Sequence, residues 1–284
     1  MLRKVIQIAE KTYVISLPTG WLKKYAIKKG DSIEVQEKES YLIVSPDAEL
    51  GGNSVTIDVR GVQGSIKRLL GAAYKAGYDE IQLIFGTKDE HDAIEKTLSV
   101  SLKEFHIMEE SKGKTRIKIL SQLRHEEFEQ VLRRMFLLIL TSMDEINSKN
   151  KDSQKIVERD LEVNNCADFC RRSLNRRGYA FYIKTPALYY IIEQLEKIGD
   201  IIRDLAAGKE PPPAELSKDA AKFLRIFYEL YYNFDIKKFD DWLKMNDDIK
   251  KKIASVKSST TTGLLNTLAE ELFATNGALL VCKL

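Results

Sequence analysis

Cysteine, proline and long apolar runs are all scarce in this chain of 284 residues. Its three cysteines form an odd set with no paired framework, which favours free thiols in a reducing compartment. The most apolar stretch, residues 135–140, is bracketed by Arg133, Arg134 and Asp144 and is far shorter than the roughly eighteen residues of a membrane span. The first residues lack the apolar core and cleavage site of a secretory signal. We therefore expect a cytoplasmic protein without membrane insertion.

Motifs of common enzyme classes are missing as well. No nucleophile and base pair emerges, and neither a dinucleotide fingerprint nor a P-loop follows a strand. Residues 61–64 have the G-x-x-G spacing of a KH loop, but they join a strand to a helix, so we interpret them as a helix-start turn capped by Ser65. His91, His106 and His125 lack repeated ligand spacing and are interpreted as surface residues. We expect a protein that is not an enzyme.

Length and composition indicate several globular domains. The apolar share is 44% and the charged share 31%, which is typical of soluble proteins. A chain of this length suits two or three separate cores. The net charge of +3 is too small to indicate nucleic-acid binding by itself, so the positions of the charges matter more than their sum.

The amino-terminal region predicts a small β-rich domain over residues 1–50. Alternating or β-branched segments predict strands at 4–8, 13–17, 32–35 and 41–44, and a proline followed by helical spacing predicts a short helix at 18–25. Four short strands bury little area, and such a unit usually needs another chain for stability. We therefore expect a homodimer.

Basic side chains are concentrated in the first thirty residues of this domain. Glu10 is the one acidic residue before Asp31. The basic residues are Arg3, Lys4, Lys11, Lys23, Lys24, Lys28 and Lys29. Such a concentration suits phosphate backbones, but from charge alone a solvated basic edge that discourages strand aggregation is the favoured interpretation.

The order of residues from Tyr13 to Asp31 resembles the AbrB/SpoVT family of swapped-hairpin, or MazE-like, domains. A strand ends in Leu17 and Pro18, a short amphipathic helix follows, and a turn ending in Gly30 and Asp31 precedes the next strand. The resemblance covers residues 1–50 and implies an intertwined dimer whose basic loops contact DNA. The residues predicted to bind DNA are Arg3, Lys4, Lys11, Thr12, Lys23 and Lys24.

A hinge at residues 51–54 leads to a small α/β domain over residues 54–120. Strand and helix patterns alternate there and end in a hairpin that turns at residues 112–114. The predicted strands are 55–59, 80–85, 105–108 and 116–120, and the predicted helices are 65–76 and 90–102.

Residues 121–284 predict an all-α helical bundle. Helical periodicity runs to the carboxyl terminus with breaks near residues 149–150, 178, 186, 208 and 211–213. The triple proline at 211–213 cannot continue a helix and separates two sets of about three helices each. Cys166 and Cys170 share a helix face without a nearby histidine and are interpreted as buried small hydrophobes.

Two acidic faces in the bundle are candidates for a metal site. Glu196 and Asp200 are four residues apart on one helical face, and Asp160 and Asn164 share a face of the preceding helix. Oxygen ligands on facing helices suit manganese, iron, magnesium or calcium. From spacing alone, a solvated acidic stripe is favoured.

Residues 195–200 and 159–164 resemble the paired signatures of the PhoU family. The resemblance implies that acidic residues four apart bind metal and that the bundle communicates phosphate status to transporters and signalling proteins. Asn164 stands where the family usually has aspartate, and the second repeat, from about residue 213, is degenerate. We therefore expect at most one divalent ion (Mn, Fe, Mg or Zn), at Asp160, Asn164, Glu196 and Asp200.

The arginines near Gly178 leave two interpretations open. One interpretation is that they dock an acidic partner, and the other is that they end a helix and interact favourably with its dipole. The four residues are Arg171, Arg172, Arg176 and Arg177.

The multidomain order of swapped-hairpin β domain, α/β domain and PhoU-like bundle predicts a DNA-binding transcriptional regulator linked to phosphate uptake. The alternative is an adaptor that binds a phosphate transporter or signalling partner, with the amino-terminal domain as a dimer clasp only. Salt-dependent binding to DNA separates the two.

Overall fold

The computed structural model describes residues 1–8, 10–38, 41–46, 53–120, 127–149 and 151–284. These form two compact units, Met1–Asn53 and Ser54–Leu284, each of which is described by itself. Parts of three predictions lie outside the described residues. They are the hinge residues Gly51 and Gly52, the domain boundary at residue 121 and the histidine at 125.

The first unit consists of two antiparallel hairpins with a short helix between them. Strand β1 (Ile6–Ile8) pairs with β2 (Thr12–Val14), and β3 (Ile33–Lys38) pairs with β4 (Tyr41–Pro46). Helix α1 (Thr19–Lys24) starts after a proline whose φ of −65° suits a helix start. The predicted hairpins and helix are confirmed.

A single copy of this unit shows no core in the residues whose burial the structure describes. From 1 to 46 these are residues 1–8, 10–35, 37 and 41–46, and none of them is buried. Apolar side chains face water instead, and Tyr13 and Leu42 keep 67% and 62% of their surface exposed. Since burial of apolar surface is the main driving force of folding, one copy of this unit gains little stability from it.

The second unit begins with a four-stranded mixed sheet. Its order is β5-β6-β8-β7, with β5 and β6 parallel and the other pairs antiparallel. Gly113, at φ +77°, makes the turn between β7 and β8, as predicted. The elements are β5 (Ser54–Asp58), α2 (Ile66–Ala76), β6 (Glu80–Ile84), α3 (Lys88–Val100), β7 (Phe105–Ser111) and β8 (Lys114–Ile119).

The helices α2 and α3 share one hydrophobic core with the sheet. Ile81 and Leu83 of β6 and Ile117 of β8 are fully buried, and they belong to one cluster with Leu70 of α2 and Ile94 of α3. The alternate positions of these strands are polar or partly exposed. This alternation is the reason that the segments fold as strands with one buried face.

The rest of the second unit is helical. The predicted break at the triple proline is confirmed, whereas Pro186 lies in the first turn of a helix rather than between helices. The helices are α4 (Phe128–Ile146), α5 (Ser153–Arg177), α6 (Thr185–Ala207), α7 (Ala214–Tyr232), α8 (Ile236–Ser255), α9 (Thr260–Ala274) and α10 (Asn276–Lys283).

Helices α4, α5 and α6 pack together, α7, α8 and α9 pack together, and α6 contacts α9. Trp242 anchors the second set: its ring stacks on Phe223 with centroids 4.7 Å apart, and its indole N–H donates to the Phe223 carbonyl at 3.0 Å. The three cysteines are free and buried, so the predicted role of Cys166 and Cys170 is confirmed. Within the described residues, no helix is long and apolar enough to cross a membrane.

Glu90 ties two loops of the α/β layer together at the carboxyl ends of β5 and β6. Its carboxylate accepts hydrogen bonds from the backbone N–H of Gly61 at 2.6 Å, Gly86 at 2.7 Å and Thr87 at 3.1 Å. The predicted cap by Ser65 is wrong, because that side chain makes no capping hydrogen bond. The backbone N–H bonds from Gly86 and Gly61 lower the pKa of Glu90.

We expect Glu90→Gln to destabilise the chain most at neutral pH. A carboxyl whose folded-state pKa is lowered stabilises fully above its ordinary pKa of 4.5 and loses that contribution as the pH falls through the lowered value. The measurement is urea unfolding of both proteins between about pH 7 and about pH 3. Glu95→Gln, on an exposed site of the same helix, is the control, and a pH-independent gap between wild type and Glu90→Gln would contradict the prediction.

Candidate functional site

The predicted DNA-binding residues lie on an open surface of the first unit. Arg3, Lys4, Lys11, Thr12, Lys23 and Lys24 are all exposed. Within the part of the chain that the structure describes, none of the five cations forms an ion pair, and the Lys24 ammonium lies 5.3 Å from the Tyr25 ring centroid. Cations without carboxylate partners are free to contact an anionic ligand.

The four predicted metal ligands lie where α5 crosses α6. Asp160 and Asn164 are on α5, and Glu196 and Asp200 are on α6. Gly199 permits the close crossing, because a Cβ added there would lie 3.1 Å from a Val163 methyl carbon and 3.5 Å from Asp160 Oδ1. The oxygen-bearing faces therefore meet, as predicted.

One guanidinium, that of Arg203, contacts three carboxylates at this crossing. Its Nη1 donates to Asp160 Oδ2 at 3.0 Å and also to Asp200, and its Nη2 donates to Asp204 at 3.0 Å. Burial opposes the charged form, but the hydrogen bonds to Asp204 and Asp160 outweigh it, and the pKa of Arg203 is raised. The arginine is thus a permanent cation at the centre of the predicted site.

Glu196 is held by a different arginine. The Arg171 side chain is 2% exposed, and its Nη2 donates to Glu196 while its Nε lies 2.5 Å from Glu193. Its Nη1 donates to Asp168 at 3.0 Å. Glu196 therefore belongs to a separate charge cluster from Asp160 and Asp200.

In this arrangement the four residues do not fit a divalent ion. Asp160, Glu196 and Asp200 do not bring ligand atoms within 4.8 Å of one another, on a search of the described residues, and each carboxylate already accepts from an arginine. Asp160 Oδ1 and Asn164 Oδ1 are nevertheless buried and accept no hydrogen bond from a described residue. Burial raises the pKa of Asp160 against the lowering effect of Arg203.

A second group, on the α/β layer, could hold a metal ion. His91, Asp92 and Glu95 of α3 bring ligand atoms within 4.8 Å of one another, and the two carboxylates are exposed. Glu110 Oε1 lies 2.9 Å from His91 Nε2, and the Phe85 ring packs on the imidazole. His91 is thus not a plain surface residue, and its spacing of four from Glu95 was the signal that the sequence interpretation passed over.

Arg172 is a buried residue that joins the α/β layer to the bundle. It is fully buried, and its Nη1 donates to the backbone carbonyls of Tyr74 at 2.6 Å and Tyr78 at 2.9 Å. Its Nη2 donates to Asp79 at 2.6 Å, and Arg176 also donates to Asp79. Since Arg171 and Arg172 are buried, they are not a surface for an acidic partner, and that interpretation is wrong for both.

Comparisons with known proteins assign no family to the chain. No family model, curated protein or solved structure matches it. The resemblances to the AbrB/SpoVT and PhoU families therefore rest on the motifs quoted above.

We expect Arg172→Met to lower the free energy of unfolding by about 3 kcal/mol, since removing one member of a buried pair leaves the other groups uncompensated. Arg225→Met is the control, because Arg225 pairs with Asp144 on the surface and such a pair is worth under about 1 kcal/mol. Urea unfolding followed by far-ultraviolet circular dichroism measures both. Equal losses in the two variants would show that the junction is not a stabilising element.

Proposed function

We propose that the chain is a cytoplasmic, homodimeric transcriptional regulator that binds DNA through its first unit and is linked to phosphate uptake. The observation that carries the proposal is an exposed set of unpaired cations on a two-hairpin unit that has no core of its own. The AbrB-like order of residues supports DNA as the ligand, and the PhoU-like signatures support the link to phosphate.

The lack of buried residues supports a second copy of the chain as the missing half of the first unit. Ile15 and Val35 keep 48% and 54% of their surface exposed, although both belong to strand-forming segments. Homo-oligomers most often close through a two-fold axis. A dimer would cover these side chains and bring two basic surfaces into one assembly.

The charge of the first unit supports a phosphate backbone as its target. Each phosphate neutralised by lysine or arginine releases counterions, and the logarithm of the binding constant then falls with the logarithm of salt by about 0.9 per contact. Loops and a helix end that carry cations position a protein on DNA without reading sequence. The residues assigned to this role are Arg3, Lys4, Lys11, Thr12, Lys23 and Lys24.

The helical part has the role of sensor or adaptor in this proposal. The PhoU-like signatures on α5 and α6 support contact with a phosphate transporter or a signalling protein. A metal at Asp160, Asn164, Glu196 and Asp200 is not part of the proposal, because the arginine contacts leave no ligand set there.

We expect the full chain to bind DNA from the control regions of its own gene and of phosphate-transport genes, with a steep salt dependence, and a chain lacking residues 1–53 not to bind. Fluorescence anisotropy at two salt concentrations measures both. Lys11→Ala should lower the salt slope by about 1, whereas Lys237→Ala, at an exposed site of α8, should leave it unchanged. Absence of binding by the full chain at low salt would favour the adaptor alternative.

We also expect Val35→Asp to convert the dimer to a monomer, because an acid replaces an exposed apolar side chain that a second copy would cover. Sedimentation velocity of the full chain measures the change. Val281→Asp is the control, since Val281 is an exposed apolar residue of the second unit. A wild-type monomer, or a Val35→Asp dimer, would contradict the assignment of this unit as the dimer interface.

A further inference from the structure

The crossing of α5 and α6 holds a buried charge that the proposed function does not use. Asp160 is 5% exposed and lies beside Val163 and Gly199. A buried carboxylate is strongly destabilising unless a cation and hydrogen bonds compensate it. Arg203 provides the nearest cation, at 3.0 Å from Asp160 Oδ2.

The single positive charge of the Arg203 guanidinium balances the single buried negative charge at this crossing, that of Asp160. The side chains of Asp200 and Asp204 are 44% and 53% exposed, so water solvates them, whereas Asp160 is enclosed. The planar guanidinium offers five N–H donors in a fixed fork, which a lysine ammonium does not. Arg203 uses that fork to reach Asp160 and Asp200 with Nη1 and Asp204 with Nη2.

We propose that Arg203 is the built-in counter-cation of the α5–α6 crossing and excludes a divalent metal ion from it. The oxygens that would ligate such an ion are those that accept from Arg203, so ion and guanidinium compete for the same positions. Glu196 cannot complete a ligand set, because the buried Arg171 holds it. The exclusion concerns the bundle alone and does not rest on DNA binding.

Removal of Arg203 should therefore expose a metal site. On a search of the described residues, the carboxylates of Asp160, Asp200 and Asp204 do not bring ligand atoms within 4.8 Å of one another while the guanidinium lies between them. Without it, the half-exposed Asp200 and Asp204 side chains would be free to turn toward Asp160 and offer oxygens without a counter-charge. Asp160 Oδ1 and Asn164 Oδ1, which accept no hydrogen bond from a described residue, would add two more oxygens. A set of oxygen ligands with several carboxylates suits Mn²⁺.

The test is Mn²⁺ binding by the full-length wild type, Arg203→Met and Arg203→Met with Asp160→Asn. Electron paramagnetic resonance of free Mn²⁺ reports binding without reference to stability. We expect the wild type to leave Mn²⁺ free, Arg203→Met to bind one ion per chain, and the double variant to bind none. Arg134→Met is the matched control, since Arg134 pairs with Glu162 of α5 on the surface, and it should bind none. Every protein in the test, the otherwise wild-type chain included, carries Asp92→Asn and Glu95→Gln, so that the His91 group cannot bind Mn²⁺.

Three outcomes would overturn the proposal. Wild-type binding of Mn²⁺ that Asp160→Asn abolishes would show that Arg203 does not exclude the ion. Folded Arg203→Met that binds no Mn²⁺ would show that the guanidinium is not what keeps the ion out. If Arg203→Met fails to fold, the double variant should fold, because it lacks the unpaired carboxylate; failure of the double variant as well would assign Arg203 a packing role instead.

Discussion

The buried guanidinium of Arg172 is the interaction on which the second unit depends. The α/β layer and the bundle have separate hydrophobic cores, and Arg172 crosses between them from α5 to the end of α2. The last carbonyls of a helix lack intrahelical donors. Arg172 donates to the Tyr74 carbonyl, which also accepts from the Gly77 N–H at 3.0 Å, and Asn175 donates to the Lys75 carbonyl. Gly77 makes this approach possible, because its φ is +95° and a Cβ there would lie 2.6 Å from Arg176 Cγ. Arg171, the residue before it on α5, contacts the Glu193 and Glu196 carboxylates of α6, so the joint and this charge cluster share one helical turn.

Hydrophobic periodicity was sufficient to predict most of the elements. Strands β6 and β8 alternate between buried and exposed positions, and the predicted helices in residues 54–120 differ from α2 and α3 by one or two residues at most ends. The breaks at residue 178 and at 208–213 followed from glycine and proline, whose backbone limits act locally, whereas the breaks before α8 and α9 contain neither residue and were not predicted. Burial of Cys166 and Cys170 followed from their shared helix face. Each of these predictions needs only the residues of one segment, which is why sequence was enough.

Partners of charged groups could not be predicted in the same way. Ser65 has the residue type and position of a helix cap, yet the loop before it is held by Glu90, which lies 29 residues from Gly61. The spacing of Glu196 and Asp200 indicated that a cation binds these carboxylates, but it did not indicate whether that cation is a metal ion or an arginine. Arg203 is three residues from Asp200 and visible on the same helix, but its bond to Asp160 spans 43 residues and depends on how α5 crosses α6. A motif of acids therefore predicts the need for positive charge, and the tertiary packing decides whether an arginine or a metal supplies it.

In the first unit the strands and the helix were predictable from sequence, but the contacts within one copy do not account for its stability. Hairpins without a described buried residue gain little from the hydrophobic effect, so in the proposed dimer folding and association would be one process. Association also decides the strength of the proposed DNA contact. If two copies close around a two-fold axis, each phosphate contact of one copy recurs in the other, and the number of released counterions doubles. The salt dependence of binding then reports the oligomeric state as well as the charge, because a monomer with the same lysines would show half the slope.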